Sequence, residues 1–381
     1  MTRPEIRFGI IGLGLMGKEF ASAAARWCHL LDDGPVPVIK GICDILTEPR
    51  KWFTDNFPGI EIITGDYTEL LSSKSIDAVY CAVPHNLHEE YYTNIIRAGK
   101  HLLGEKPFGI DLGANERILK IVSQHPEVKV RSSSQFAYYP GAKRIIDWIR
   151  AKKYGRLMEV RCGFHHSSDM DLNKAINWKR MIDTNGEYGC MGDLGFHTHF
   201  IPLRMGWIPE AVYADLQNIA VQRPDNSGDI VPCETWDNAV LTCSCKDPDS
   251  SEPFSMVFET KRMAPGATNT WFIEIYGTNA SAKYSTHEPK AFYELETKGK
   301  EQGWTRTDIG AGSFIPTITG GIFETGFSDA LLQMMGAFMF DFRNDGNEHP
   351  FPCGTVAETN LSHRLMTAGL ESFKQGKRIN L

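Results

Sequence analysis

Apolar residues in the first third of the chain fall in short, near-continuous runs separated by segments of helical spacing. The runs 6–11 and 38–43 predict strands, with a helix over 15–31 between them. A second helix is expected over 48–57, where Pro49 sits in a first turn that tolerates proline. A strand over 60–63 and a short helix over 67–71 precede the buried-type run Ile76-Asp-Ala-Val-Tyr-Cys-Ala-Val83. Helix 88–98, strand 101–104, helix 112–122 and a last strand at 128–130 complete the alternation. Strands apolar on both faces and alternating with helices predict a parallel sheet covered on both sides. The expectation is an α/β, doubly wound domain over residues 1–134.

After Gln135 the pattern changes. One helix is expected over 142–151, followed by β-rich stretches at 157–164, 239–245, 254–260, 271–276 and 292–297. Trp271-Phe-Ile-Glu-Ile-Tyr276 shows the partial alternation of a half-buried strand. Strands without intervening helices imply an antiparallel or mixed sheet. Helices over 328–340 and 356–373 close the chain, and 247–253 reads as a loop. Residues 135–381 are therefore expected to form an α+β domain.

A length of 381 residues suits two such domains. With 40 basic and 47 acidic residues the formal charge is −7, and no basic block is longer than Lys152-Lys153, which weighs against a nucleic-acid partner. The nine cysteines form no Cys-x2-Cys pair, which weighs against structural zinc and suits reduced core residues. Neither a signal-peptide pattern nor a run of about 18 apolar residues occurs, so a soluble cytoplasmic protein with no membrane partner is expected.

Chemistry enters with Gly12-Leu13-Gly14-Leu15-Met16-Gly17, between the first strand and the first helix. Glycines there permit a tight turn and close approach to a pyrophosphate, which the helix N-terminus receives with free N–H groups. Asp44 ends the second strand, 27 residues beyond Gly17, with 32–37 read as a loop insertion absorbing the excess. A carboxylate at that place accepts hydrogen bonds from an adenosine ribose and repels a 2′-phosphate, favouring NAD over NADP. Pro84, Asn86 and His88 follow the fourth strand; the latter two either meet the cofactor or cap the next helix. Glu105-Lys106-Pro107 follows the fifth. Lys106 at a strand's carboxyl end is either an exposed loop lysine or a group that polarises a developing alkoxide.

Downstream, Asp193 and His197 stand four apart on a predicted helix behind a glycine-rich approach, and so share a face. The pair is either a cap with a core histidine or a general base beside a carboxylate. His197 and His199 point about 200° apart on a helix and cannot chelate together, so no metal is expected.

Together these motifs resemble the Gfo/Idh/MocA oxidoreductase family. The glycine fingerprint, Glu105-Lys106-Pro107, the Trp178-Lys179 pair and Asp193-x3-His197 carry the resemblance, which covers nearly the whole chain. It implies an α/β Rossmann domain followed by an α+β domain with a large, mostly antiparallel open sheet that carries homodimer or homotetramer contacts. It also implies NAD as cofactor, with Lys106, Asp193 and His197 in the catalytic positions. By this resemblance His197 takes the hydroxyl proton, Lys106 bonds the same oxygen, and Asp193 orients His197 or grips a neighbouring hydroxyl. Residues 135–140 read Gln-Phe-Ala-Tyr-Tyr-Pro where many members carry an arginine. Tyr138, Tyr139, His165, His166 and Trp178 are candidates to line the pocket, since aromatic faces suit a sugar's C–H surface. Lys179 joins them as a substrate-binding candidate. The layout is similar to members acting on pyranosides or anhydrosugars, which implies an NAD-dependent dehydrogenase for a secondary hydroxyl of a sugar, polyol or glycoside. An NAD-retaining glycosidase and a non-catalytic NAD/sugar sensor stay open as alternatives.

Overall fold

The computed structural model describes residues 3–310, 312–343 and 346–381. Six strands, β1 (Glu5–Ile11), β2 (Val36–Cys43), β3 (Ile62–Thr64), β4 (Ala78–Cys81), β5 (His101–Gly104) and β6 (Val130–Ser132), form one sheet. Its order is β3-β2-β1-β4-β5-β6, and every pairing is parallel. Five helices alternate with these strands: α1 (Leu15–Ala25), α2 (Glu48–Asn56), α3 (Tyr67–Ser72), α4 (His88–Arg97) and α5 (Leu112–Gln124). Strand order reverses between β1 and β4, which opens a crevice at the carboxyl ends of those two strands.

The expected helix over 15–31 is shorter in the structure. It stops at Ala25, and a single 3-10 turn, Trp27–His29, follows before the insertion at Asp32. Tertiary contacts decide this: Trp27 and Leu30 are buried, and Leu31 N–H donates to the carbonyl of Pro316 rather than continuing the helix.

Beyond α6 (Pro140–Arg150), strand β7 (Leu157–His165) enters a second sheet; α7 (Ile182–Asn185) and α8 (Cys190–Arg204) follow. The chain then runs through β8 (Pro209–Gln217), the hairpin β9 (Gln222–Pro224) and β10 (Ile230–Pro232), β11 (Asn238–Lys246) and β12 (Pro253–Lys261). Next come β13 (Thr270–Gly277), β14 (Ala280–Ser285), β15 (Ala291–Glu296) and β16 (Thr305–Asp308). Helices α9 (Phe327–Met339) and α10 (Val356–Gln375) precede a short β17 (Ile379–Asn380). The second sheet has nine strands in the order β16-β15-β14-β13-β7-β12-β11-β8-β17. Only β7 and β12 pair in parallel; the other pairings are antiparallel. The expected mostly antiparallel open sheet is present. Strands β8, β9, β10, β14, β16 and β17 were not among the expected elements.

The two sheets are tied together by the last helices. Helix α9 packs on α1, and α10 packs on both α5 and α8. One apolar core runs from Phe8 and Tyr80 of the first sheet, through Phe20 of α1, to Trp271 and Phe258 of the second. The Phe20 and Tyr80 rings stack at 4.2 Å, and Phe338 of α9 covers Phe8 at 6.2 Å. No described helix is long and apolar enough to cross a membrane.

Candidate active site

The glycine loop after β1 shows why glycine stands at its first and last positions. Gly12 has φ +88°, and a Cβ there would lie 2.3 Å from the Ala82 carbonyl oxygen. At Gly17 a Cβ would lie 2.3 Å from the Gly12 oxygen, so helix and strand approach through bare backbone. Gly14 differs: nothing lies within 4 Å of its Cβ position, and it opens onto the crevice with Leu15 and Met16. As the N-cap of α1 it offers no side-chain cap, which leaves first-turn N–H groups free for an anion.

Asp44 closes the loop from the β2 side. Its Oδ2 accepts from Leu13 N–H at 2.8 Å and its Oδ1 from Leu46 N–H at 2.9 Å. Arg50 donates to the backbone oxygen of Asp44, not to its carboxylate. The carboxylate is half-buried and retains lone pairs for a ribose hydroxyl. A free-N–H helix start, an open glycine and a carboxylate at the second strand end fit a dinucleotide.

Below the loop, Pro84, His85, Glu105, Lys106, Asp193 and His197 line one cleft of about 370 Å³. Lys106 is held in a loop braced from α4, β4 and α10. Tyr92 donates to Glu105 O at 2.8 Å, Tyr80 to Glu105 Oε1 at 2.7 Å, and His363 Nε2 to Pro107 O at 2.8 Å. Its ammonium donates to Asp193 O at 2.6 Å and to Asp193 Oδ1 at 3.1 Å, so the first sheet meets the first turn of α8.

His197 is buried one turn further along α8, with Phe136 and Phe164 edge-on to its ring at 5.1 and 5.4 Å. Its Nδ1 has no hydrogen-bond partner. Burial, reinforced by the Lys106 charge, holds the imidazole well below its ordinary pKa, so it is neutral at pH 7 and can accept a proton.

Asp193 does not orient His197, contrary to one of its two expected roles. Its carboxylate is taken by Lys106, by Lys179 at 3.2 Å and by Arg262. Desolvation opposes its ionisation, but Arg262 and the two lysines win and hold the carboxyl well below the usual range. Sharing a helix face brought the pair to one cleft; the stronger cation attraction turned the carboxylate away from the imidazole.

Five further site candidates are corrected. His88 is fully buried: its Nε2 donates to Val83 O at 3.0 Å and its Nδ1 accepts from Gly109 N–H at 3.2 Å, so it braces the lysine loop and does not reach the cofactor crevice. Asn86 is exposed outside the cleft, and His85 takes the place expected of it. Tyr138 is buried with its hydroxyl on Phe351 O at 3.2 Å, and Tyr139 is core as well. His165 lies 3.3 Å from Glu259, away from the cleft. His166, Trp178 and Lys179 do line it.

Sequence reasoning missed a chain of buried charges behind Asp193. Arg262 lies 3.7 Å from Asp169, Asp169 lies 2.8 Å from Arg180, and Arg180 pairs with Asp237. Asp237 also accepts from Ile219 and Ala220 N–H. No spacing ties these residues together; the one hint was so many charges inside a β-rich, apolar region. Removing one member leaves its partners buried and uncompensated. Arg180→Met is therefore expected to destabilise the protein by about 3–5 kcal/mol in urea unfolding. A loss below about 1 kcal/mol would show that Asp169 and Asp237 need no such partner.

Comparison with known proteins agrees with this architecture. A family model described as "Oxidoreductase family, NAD-binding Rossmann fold" matches residues 6–131. A dTDP-3,4-didehydro-2,6-dideoxy-alpha-D-glucose 3-reductase of Actinomadura kijaniata is 28% identical over 62% of this chain and 64% of its own length, just under two thirds of it. Levoglucosan dehydrogenase of Pseudarthrobacter phenanthrenivorans is 25% identical over 74% of each chain. A solved structure of levoglucosan dehydrogenase in complex with NADH and L-sorbose superposes with a TM-score of 0.86 over 99% of both chains, at 20% identity.

Proposed function

We propose that this chain, whose residues 6–131 match an oxidoreductase family model with an NAD-binding Rossmann fold, is a member of the Gfo/Idh/MocA family and an NAD-dependent dehydrogenase that oxidises a secondary hydroxyl of a sugar, polyol or glycoside. One observation carries the reading: an ammonium from the first sheet and a neutral imidazole from α8 line the same cleft, under a glycine loop that fits a dinucleotide.

Each residue's task follows from its placement. Gly14 and the first turn of α1 receive the pyrophosphate, and Asp44 accepts from the adenosine ribose. NAD bound there supplies the hydride acceptor. His197 accepts the hydroxyl proton on its imidazole. Lys106, held in place by Asp193, donates to the same oxygen and stabilises negative charge developing on it. Trp178 and Phe164 offer aromatic faces to a sugar's C–H surface. Asp193 holds Lys106 in place rather than acting on the substrate.

The division of the chain after residue 134, a homodimer or homotetramer built on the nine-stranded sheet, and a cytoplasmic location belong to the same proposal. Eight buried free thiols suit a reducing compartment.

A panel of monosaccharides, glycosides, sugar acids and inositols, followed with NAD at the absorbance of the reduced nicotinamide, tests the reading. Turnover of at least one secondary alcohol is expected, with NADP a poorer acceptor. Tight NAD binding without reduction on any member of the panel would remove the dehydrogenase reading in favour of a sensor. Product release without net NADH would point to the glycosidase instead.

A further inference from the structure

Positive charge in the cleft exceeds what the surrounding carboxylates balance. Asp193 alone faces Lys106, Lys179 and Arg262. Arg262 finds a second carboxylate in Asp169, but Asp169 is already shared with Arg180 and with Lys174 at 3.2 Å. Asp237 serves Arg180 and two backbone N–H groups. The connected set holds five cations against three carboxylates, and Glu105, whose Oε1 accepts from the Tyr80 hydroxyl, is a further carboxylate lining the cleft among the described residues, so cations still outnumber carboxylates by one.

The unbalanced charge has a definite place. Lys106 spends two of its three donors on Asp193, whereas Lys179 spends one, at 3.2 Å. Lys179 is 35% exposed at the cleft wall, beside the Trp178 ring. Burial pushes its pKa down to about 8; Asp193 works against this, and the neighbouring Arg262 and Lys106 add to it. The same excess works against chemistry. Lys106 and Lys179 both lower the affinity of His197 for a proton, so accepting one adds charge to a cleft already positive.

We infer that the substrate is anionic, a sugar acid or sugar phosphate whose carboxylate or phosphate group binds the Lys179 ammonium and leaves the last donor of Lys106 for the reacting hydroxyl. This rests on the dehydrogenase reading for the hydroxyl but on charge and geometry for the anion. A bound anion supplies the missing partner and makes the proton step at His197 easier. Arg262, held on two carboxylates, keeps Asp193 aimed and is a positioning residue for both lysines.

Calorimetric titration of the NADH-bound protein with matched probes tests this. D-glucose is compared with D-glucuronate for the carboxylate, and with glucose 6-phosphate for the phosphate, at low and high salt. At least one anion is expected to bind about tenfold or more tightly than glucose, an advantage of about 1.4 kcal/mol. That advantage should shrink with salt, vanish in Lys179→Met and persist in Lys179→Arg; thermal melting and NADH binding confirm that both variants fold. Glucose binding as tightly as both anions, or an anion preference untouched in Lys179→Met, overturns the inference. Turnover confined to neutral sugars also overturns it while leaving the dehydrogenase reading intact. Anion preference without any hydroxyl oxidation does the reverse.

Discussion

Lys106→Met is expected to lower kcat by about 10²–10³-fold, and His197→Asn by about 10²–10⁴-fold, with NADH affinity changed by no more than a few-fold in either. The magnitudes follow from the task of each group. A charged donor on the reacting oxygen acts where negative charge develops. A positioned base removes the proton that would otherwise have to reach solvent. Structure loss is a poor competing explanation. In Lys106→Met, Asp193 keeps Lys179 and Arg262, so no carboxylate is orphaned. Asparagine at 197 fills much of the space between Phe136 and Phe164, and the wall toward Trp271 is set by the backbone oxygen of residue 197. Steady-state rates on the best substrate, NADH fluorescence titration and melting temperature separate chemistry from binding and folding. Wild-type kcat in either variant would refute the role given to that residue.

A steep loss of stability below about pH 6 is the second large effect expected. His88, His199 and His363 are buried, and burial lowers their pKa values to about 3, about 3 and about 4. In the unfolded chain they titrate near 6.5, so between that value and the lowered ones the unfolded state binds more protons. Their contribution is therefore complete above pH 6.5 and falls as the pH drops toward 3–4. Each histidine costs about 1.4 kcal/mol per pH unit in that window, and three together cost on the order of 6 kcal/mol by pH 5. That is comparable with the whole stability of many domains.

The geometry gives this loss a functional side. His88 accepts Gly109 N–H on Nδ1, and His363 donates to Pro107 O, so protonating His88 pits a new N–H against an existing donor in the loop that carries Lys106. Activity should fall with the structure, and urea unfolding followed from pH 8 to pH 4.5 measures the slope. A midpoint that stays flat down to pH 5 would show that these imidazoles are not forced to remain neutral. Replacing His199 by glutamine should lessen the slope without touching the lysine loop, since its Nδ1 contacts only Ser362.

Legibility of the site varied with the range of the interaction involved. The glycine loop, Asp44 and Lys106 were readable because each sits at the carboxyl end of a strand that local pattern already locates. Asp193 and His197 were readable as a pair on one helix face, but not the partner each would choose. Local spacing decides which side chains share a face; it says nothing of Arg262, which arrives 69 residues later at the end of β12 and outcompetes the imidazole. His88 and Asn86 went astray for a similar reason. A 3-10 turn over His85–Leu87 follows β4 and leads straight into α4, so His85 enters the cleft while His88 points under the lysine loop. Tyr138, an attractive sugar platform by type, is drawn into the core by Phe351 and Phe314.

The alternation of strands and helices in the first sheet, its parallel pairing, the glycine loop and the strand-end or helix-face placement of Lys106, Asp193 and His197 were legible in sequence alone, because periodicity, glycine spacing and strand-end position act over a few neighbouring residues. Tertiary structure alone decided how charge is distributed around them. Ion pairs form between residues that folding brings within a few ångströms from distant parts of the chain. A buried carboxylate draws in the cations that folding brings near it, so Asp193 joins Lys106 to Lys179 and Arg262, and Arg262 leads on to Asp169.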